Sequence, residues 1–424
     1  MGNATEWFDY GVYAATASYL TDAFFPGDLG TLGTMLGLAV SFLLRPLGGA
    51  VWGSLGDRLG RKAVLATTIL LMAGATGLIG LLPTHSSVGV LAPVLLIALR
   101  VVQGFSTGGE YGGAATYLAE CAPDRRRGFF GSFLEFGTMG GFVGGSAVVL
   151  LCQVTLGSAA MHNWGWRIPF LLALPLGLIG WYLRAKLDES PVFREMAETT
   201  PDRGRLREVL TDYRRETLVL MGLVVALNVV NYTLLTYQPV YLEEQLGVGE
   251  STTTAMMLTG QVVMMLVLPM FGRWSDRVGR RPMWRFSLLG IIVAAIPMYW
   301  LMGHGIGWAI VGFVVLGVLY VPQLATITAT FPAIFPTRVR YTGFALGYNV
   351  STAVAGGTAP LVNEAVINTT GWTLFPAFYM VFAALVGLAA WTGLRESAGR
   401  SLREDRQRLV PRGDVTSPGA ISAL

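Results

Sequence analysis

Twelve apolar stretches, at residues 4–25, 31–55, 63–83, 91–119, 128–154, 166–186, 217–242, 252–272, 283–302, 306–331, 341–367 and 372–394, leave this chain few folds to choose from. Each comes close to the roughly 20 residues that carry a helix across a hydrocarbon layer of about 30 Å. The composition agrees. Of 424 residues, 53% are hydrophobic and 13% charged, against about 25% charged in a typical soluble domain. The expected fold class is therefore an all-α membrane protein with twelve transmembrane helices in two six-helix halves.

The basic residues follow topology. They crowd "GDRLGRK", "DRRRG", the stretch 184–215, "GRWSDRVGRRPMWR", "FPTRVR" and the tail from Arg395, while of 30 Lys and Arg only Arg45, Arg100 and Arg167 fall elsewhere. Loops rich in Lys and Arg stay in the cytoplasm, so both termini are expected there, in a multi-pass protein of a bacterial inner membrane. This distribution also explains the net charge of +4 without nucleic acid as a partner. The first apolar segment lacks a basic leader and a cleavage site, so it reads as a retained helix. Met1 lies almost inside that helix, which suggests that the natural chain extends upstream. The expected units are a first half at 1–186, a cytoplasmic linker at 187–216, a second half at 217–394 and a cytoplasmic tail at 395–424. The tail is polar, has no heptads and is expected to be disordered.

An internal repeat supports two halves. "GSLGDRLGRK" begins at residue 53 and "GRWSDRVGRR" at 272, an offset of 272 − 53 = 219, and each follows the second helix of its half. Repeated halves with a substrate site near the midplane between them are a common plan for secondary transporters. In these loops Asp57 and Asp276 can face helix N-termini, and Arg58, Arg61, Arg277 and Arg280 can pair with carboxylates at neighbouring helix ends. The six residues are candidates for a gate that latches the cytoplasmic side.

Ionisable groups inside apolar helices are costly and usually functional. The opening stretch, "GNATEWFDYGVY", places Glu6 and Asp9 three residues apart on one helix face with Tyr10 and Tyr13 beyond them. Burial among rings disfavours a carboxylate's charged form, so such a group can take up a proton and release it on exposure. Glu6 is the shallower of the two, and a position at the membrane rim also suits it. In "RVVQGFSTGGEYGG", Arg100, Gln103 and Glu110 recur along a face of the fourth helix, and Glu110, Glu135 or Asp9 can serve Arg100 as partner. Asp9, Glu110, Arg100, Glu6 and Glu135 are the proton-coupling candidates. Arg45, in the second helix, is a further intramembrane cation. The second half carries almost no intramembrane charge except Glu364, but "NVVNYTLLTYQPVY" supplies amides and rings. The substrate-binding candidates are Trp7, Tyr10, Tyr13, Arg45, Gln103, Tyr111, Asn228, Asn231, Tyr232 and Tyr237. For any one of the polar residues of the seventh helix, hydrogen bonding between helices suits equally well. Cys121 and Cys152 form no disulfide framework or metal pattern, and no catalytic triad or nucleotide motif stands out, so no cofactor is expected and an enzyme is the least favoured class.

"GDRLGRK" and "SDRVGRR" resemble the cytoplasmic loop motifs of the major facilitator superfamily, and "RVVQG" resembles its fourth-helix motif, whose Arg is tied to proton coupling. "GNATEWFDYGVYA", "LLRPLGG", "NWGWRIPFLLALPLGLIGWYLR" and "FPTRVRYTG" are similar to the metabolite:proton symporter branch, and "ALNVVNYTLLTYQPVYL" is most similar to the proline/betaine transporters. The resemblance implies a proton-coupled importer of small zwitterionic osmolytes working by alternating access. Its rival within the branch is a dicarboxylate or other organic-acid symporter, of the 2-oxoglutarate or citrate type, with Arg45 and Arg100 binding the anion. Some relatives end in a cytoplasmic coiled coil linked to osmosensing; the tail here departs from that pattern, so osmotic activation through such a coil is not implied.

Overall fold

The computed structural model describes residues 2–27, 30–59, 61–108, 110–186, 205–336, 339–400 and 402, which form twelve helical spans. In the first half these are α1 (Gly2–Ala15 and Ala17–Phe24), α2 (Gly30–Leu43 and Arg45–Leu59), α3 (Arg61–Leu81), α4 (Leu91–Thr107 and Glu110–Cys121), α5 (Arg127–Leu156) and α6 (Arg167–Lys186). The second half comprises α7 (Arg214–Tyr232, continued to Gln245), α8 (Glu250–Val278), α9 (Arg280–Met302), α10 (Ile306–Thr330), α11 (Arg340–Ser351 and, after a wide turn, Ala359–Thr370) and α12 (Phe375–Trp391). The outer surfaces expose Leu151, Val154, Val293 and Phe382. An apolar mantle of this kind suits lipid rather than water.

The helices pack in the same way twice. In the first half α1 lies along α5, α3 along α6, and α2 against α4. Raising each number by six gives the second half: α7 against α11, α9 along α12 and α8 along α10. The contacts between halves obey the same rule, since α5 meets α8 and α10 while α11 meets α2 and α4. The repeated loop seen in the sequence is thus one part of a repeat that extends through the helix packing.

Small residues set the closest approaches. A Cβ on Gly104 of α4 would fall onto the Ser41 carbonyl of α2, and one on Gly108 onto the Arg45 carbonyl. Backbones in membrane helix pairs come this close only where side chains are absent. This contact fixes the height of Arg45 and Arg100 relative to each other.

Three spans depart from regular α-helix. In α1 the Thr16 hydroxyl donates to the Val12 carbonyl at 2.7 Å, a back-bond that bends helices. Wide, π-type turns occur at Thr233–Tyr237 and Tyr241–Gln245 of α7 and at Thr352–Gly356 of α11. Such turns free backbone groups and recur at functional sites. They fall on the helices that bring the second half's polar side chains inward.

Contacts join the halves at both ends of the bundle. On the face that carries the basic loops, Asp276 of α8 accepts the backbone N–H groups of Gly128 and Phe129 at the start of α5, at 2.8 and 2.9 Å. On that face Arg340 of α11 also pairs with Glu120 of α4 at 3.0 Å. On the far face the Tyr19 hydroxyl donates to Glu250 at 2.6 Å, and His162 lies 2.9 Å from Asp22 and 2.8 Å from Glu250. Among the described residues, the two halves thus touch at both faces of the bundle.

Candidate functional site

Asp9 and Arg100 form the charged centre. The Arg100 guanidinium donates from Nη1 to Asp9 Oδ2 at 3.0 Å, and neither side chain is more than 3% exposed. The same Nη1 donates to Gln103 Oε1 at 2.8 Å, and Gln103 donates in turn to the Thr76 hydroxyl of α3 at 2.7 Å. The guanidinium carbon lies 3.4 Å from the centroid of the Tyr13 ring, a cation–π seat. Asp9 and Tyr13 are one turn apart on α1, so that helix presents both the carboxylate and the ring to a single arginine. Among the described residues, Asp9 Oδ1 and Arg100 Nε and Nη2 are buried with no hydrogen-bond partner. A buried carboxylate with one oxygen held and the other open can accept a proton without first breaking its ion pair.

Beside this pair is a wall of rings drawn from both halves. Trp7 lies 5.3 Å from Tyr10 and 5.4 Å from Phe142, and stacks on Tyr232 of α7 at 6.4 Å. Phe42 joins Tyr10 at 5.1 Å and Tyr232 edge-on at 4.8 Å. Arg45 donates to the Tyr10 hydroxyl at 2.8 Å and sits 4.3 Å over the Phe42 ring. Tyr232 is contributed by the second half, so the wall spans both halves.

The remaining candidates are spread around this centre. Glu135 of α5 accepts from Tyr111, and Tyr111 stacks on Tyr348 of α11 at 4.7 Å. Of the three carboxylates open to Arg100 in the sequence, Asp9 is therefore its ion-pair partner, and Glu135 belongs to a separate tyrosine cluster. Asn228 donates to Thr352 at 2.8 Å, and Asn231 accepts from Tyr320 at 3.1 Å. Three substrate candidates have partners of their own. Both ends of the Gln103 amide are engaged within its own half, the Tyr13 ring is taken by Arg100, and Tyr237 turns its hydroxyl to Glu364 at 2.9 Å. Among the described residues no ring contact joins Tyr237 to the Trp7 wall. The side chains of Glu6, Glu110, Asp57, Arg58 and Arg61 lie outside the described residues.

In the second-half loop, Arg280 pairs with Asp276 at 2.7 Å and donates to Ser275 at 2.6 Å, which orients the carboxylate toward the α5 N-terminus. Arg277 is exposed and stands apart from this cluster. Sequence reasoning missed a second pair of clamps. Arg127 and Arg340 each donate from Nε to a carbonyl eight residues upstream, at Ala119 and Pro332, both at 3.0 Å. Both close a P-x-R-x-R pattern, Pro123–Arg127 and Pro336–Arg340, that was open to view in the sequence.

The start of the tail is held there too. Arg127 donates to the Arg400 carbonyl at 3.1 Å and Arg340 to that of Leu402 at 3.3 Å. Glu396 accepts the backbone N–H groups of Arg280 at 2.9 Å and Arg281 at 3.0 Å, capping α9. Burial pushes the Glu396 carboxyl up, but these bonds and two more from Ser397 and Ala398 outweigh it and hold the group below its ordinary range. Residues 396–400 and 402 are therefore held across the basic face; residues 401 and 403–424 lie outside those described.

Twelve helices in two like-packed halves, around a buried ion pair and a shared aromatic wall, define a membrane transporter fold. The sequence profile of the Major Facilitator Superfamily matches residues 2–360, and the chain belongs to that superfamily. It is 41% identical to the ectoine/proline transporter ProP of Corynebacterium glutamicum, over 95% of this chain and 84% of that one. It is likewise 41% identical to the proline/betaine transporter of Escherichia coli K12, over 95% of this chain and 83% of that one. A glycine betaine/proline/ectoine/pipecolic acid transporter of Dickeya dadantii is 40% identical over 95% of this chain and 83% of that one. In fold the chain is similar to the proton:xylose symporter XylE bound to 6-bromo-6-deoxy-D-glucose, with a TM-score of 0.74, 18% identity and 96% of each chain covered. It is also similar to XylE from E. coli in a partially occluded inward-open conformation, with a TM-score of 0.73 and 18% identity over 94% of this chain and 97% of that one.

Proposed function

We propose that the protein is a proton-coupled symporter that imports small zwitterionic osmolytes, such as glycine betaine or proline, by alternating access across a bacterial cytoplasmic membrane. The basic face is taken as cytoplasmic, with both termini on that side. The observation that carries the reading is the Asp9–Arg100 pair, with one Asp9 oxygen open, set beside a ring wall built from both halves. A quaternary ammonium needs ring faces, and a desolvated cation–π contact contributes about 2 kcal/mol. Its carboxylate needs few donors, which Arg100 Nη2 and Asn228 can supply. A proton on Asp9 frees the guanidinium to turn toward that carboxylate, so proton and substrate favour one another at the same site. Asp276 at the α5 N-terminus, with Arg280 holding it, and the Arg340–Glu120 pair then act as the cytoplasmic gate.

A dicarboxylate asks for two cations free to meet it. Arg100 already serves Asp9, Gln103 and the Tyr13 ring, and Arg45 serves Tyr10 and Phe42, which favours the zwitterion. Uptake of labelled betaine, proline, 2-oxoglutarate and citrate into cells lacking other carriers, with and without a protonophore, tests the reading. Betaine and proline are expected to accumulate, to compete with each other and to lose accumulation with the protonophore. Protonophore-sensitive uptake of citrate or 2-oxoglutarate, unaffected by betaine or proline, would overturn it.

A further inference from the structure

The seventh span opens on two arginines that the central site does not use. Arg214 and Arg215 stand in the first turn of α7, and Leu218 and Val219 follow them, each four residues on. Side chains four apart lie one above the other on a helix, so each guanidinium tops an apolar side chain. Against this turn packs the end of α12. Its outward side carries the large, exposed Phe382 and Leu385 and then thins to Ala389, Ala390 and Gly393 at the basic end. The backbones come close there, since a Cβ on Gly393 would lie 2.5 Å from Val219 Cγ2 and one on Gly222 2.6 Å from the Ala390 methyl. Large side chains on one side of the seam and none on the other leave an open groove of about 500 Å³ between α7 and α12, with both arginines on its rim. Among the described residues neither guanidinium has an ion pair or a hydrogen-bond acceptor, although Asp212 and Glu216 flank them in the chain.

We propose that this groove binds an anionic phospholipid, its phosphodiester held by Arg214 and Arg215 and one acyl chain laid along the seam of α7 and α12. The level is right for a headgroup. Trp391, at the end of α12, donates from its indole N–H to the Arg281 carbonyl at 2.8 Å, and the guanidinium carbons of Arg281 and Arg285 lie 4.6 and 5.8 Å from its ring centroids. Tryptophan among basic residues marks the membrane–water interface. Leu218 is 66% exposed and Phe382 61%, so the apolar end of the groove opens onto lipid. The chemistry also fits. A guanidinium matches phosphate oxygens with paired N–H donors, and basic pockets between membrane helices hold anionic headgroups. The volume exceeds that of a phosphate group alone, a water's share of liquid being about 30 Å³, and leaves room for glycerol and the first methylenes. Free phosphate has nothing to place against Leu218 and Val219. A choline headgroup brings its own cation to two arginines, which selects against a zwitterionic lipid. The site is independent of the substrate and proton readings above.

The test is native mass spectrometry of the full chain in detergent, titrated with dioleoylphosphatidylglycerol or dioleoylphosphatidylcholine, with inorganic phosphate as competitor. The parent is expected to hold one phosphatidylglycerol about tenfold more tightly than phosphatidylcholine, and millimolar phosphate is expected not to displace it. Arg214→Gln with Arg215→Gln is expected to lose about 30-fold in affinity for phosphatidylglycerol, and the corresponding double lysine variant to keep most of it. Ala389→Trp leaves both charges in place and fills the groove from an exposed position, so it is expected to weaken binding as well. Arg125→Gln with Arg126→Gln removes two exposed charges from the first half of the same face and is expected to bind as the parent does. Equal binding of the two lipids, displacement by phosphate, an equal loss in the Arg125 and Arg126 control, or unchanged binding in Ala389→Trp would each overturn the proposal. Should the double glutamine variant fail to fold, the lysine and tryptophan variants decide the matter.

Discussion

At the scale of residues, the centre of the molecule combines one buried ion pair with rings. Breaking a buried pair by deleting one partner commonly costs about 3–5 kcal/mol, because it strands the other charge. Arg100 is insured against part of this cost. The guanidinium also holds Gln103 and the Tyr13 face, so the proposed loss of Asp9 as a partner would leave it those two contacts. Trp7 stands at the junction of both halves, in contact with Tyr10, Phe142 and Tyr232. If the wall binds a quaternary ammonium, Trp7→Ala loses a contact of about 2 kcal/mol, or roughly 30-fold in affinity. Trp7→Phe keeps a ring and is expected to lose only a few-fold. The apparent affinity for betaine in the two variants checks this, and equal losses in both would assign Trp7 to packing alone.

At the scale of elements, the basic face is more elaborate than the loop motifs suggested. Asp276 puts a carboxylate on the N-terminus of α5, where the helix dipole favours it. Glu396 does the same for α9 from the tail, and the Arg127 and Arg340 clamps take the tail's carbonyls. Because native contacts hold the Glu396 carboxyl below its ordinary value, its contribution is present above the unfolded value of about 4.3 and is lost as pH falls through the lower folded value. A nitroxide at Arg400→Cys is therefore expected to be immobile at neutral pH and to mobilise only under strongly acid conditions. Adding Glu396→Ala is expected to mobilise it at neutral pH, and an unchanged spectrum in that variant would show that the clamps alone hold the strap. The aspartate in the repeated loop was visible in the sequence because Gly, Asp and Arg recur at a fixed spacing. The strap was not, because what it offers to the clamps is mainly backbone carbonyl, to which composition is blind. Glu364 was visible as a lone intramembrane charge, but the Tyr237 that donates to it sits in a wide turn of α7, which leaves no periodic signature.

At the scale of the whole molecule, the twelve spans followed from hydropathy, since lipid leaves a chain of this composition little else, and the repeated packing of the two halves was signalled by the repeated loop. The pairing of Asp9 with Arg100 was one of three options in the sequence; helix register alone cannot rank carboxylates on three different helices, and only the close α2–α4 and α1–α5 packing does. The partners of Gln103, Tyr13 and Tyr237 were not legible, because side-chain chemistry can be read in a sequence while the neighbour that meets it cannot. The central claim is that proton and substrate meet at the Asp9–Arg100 centre, and the most direct test is to separate accumulation from exchange in Asp9→Asn. In proteoliposomes with an imposed pH gradient, this variant should fail to concentrate labelled betaine yet still exchange it against internal unlabelled betaine at equal pH. Concentrative uptake at the parent's level by Asp9→Asn would contradict the account.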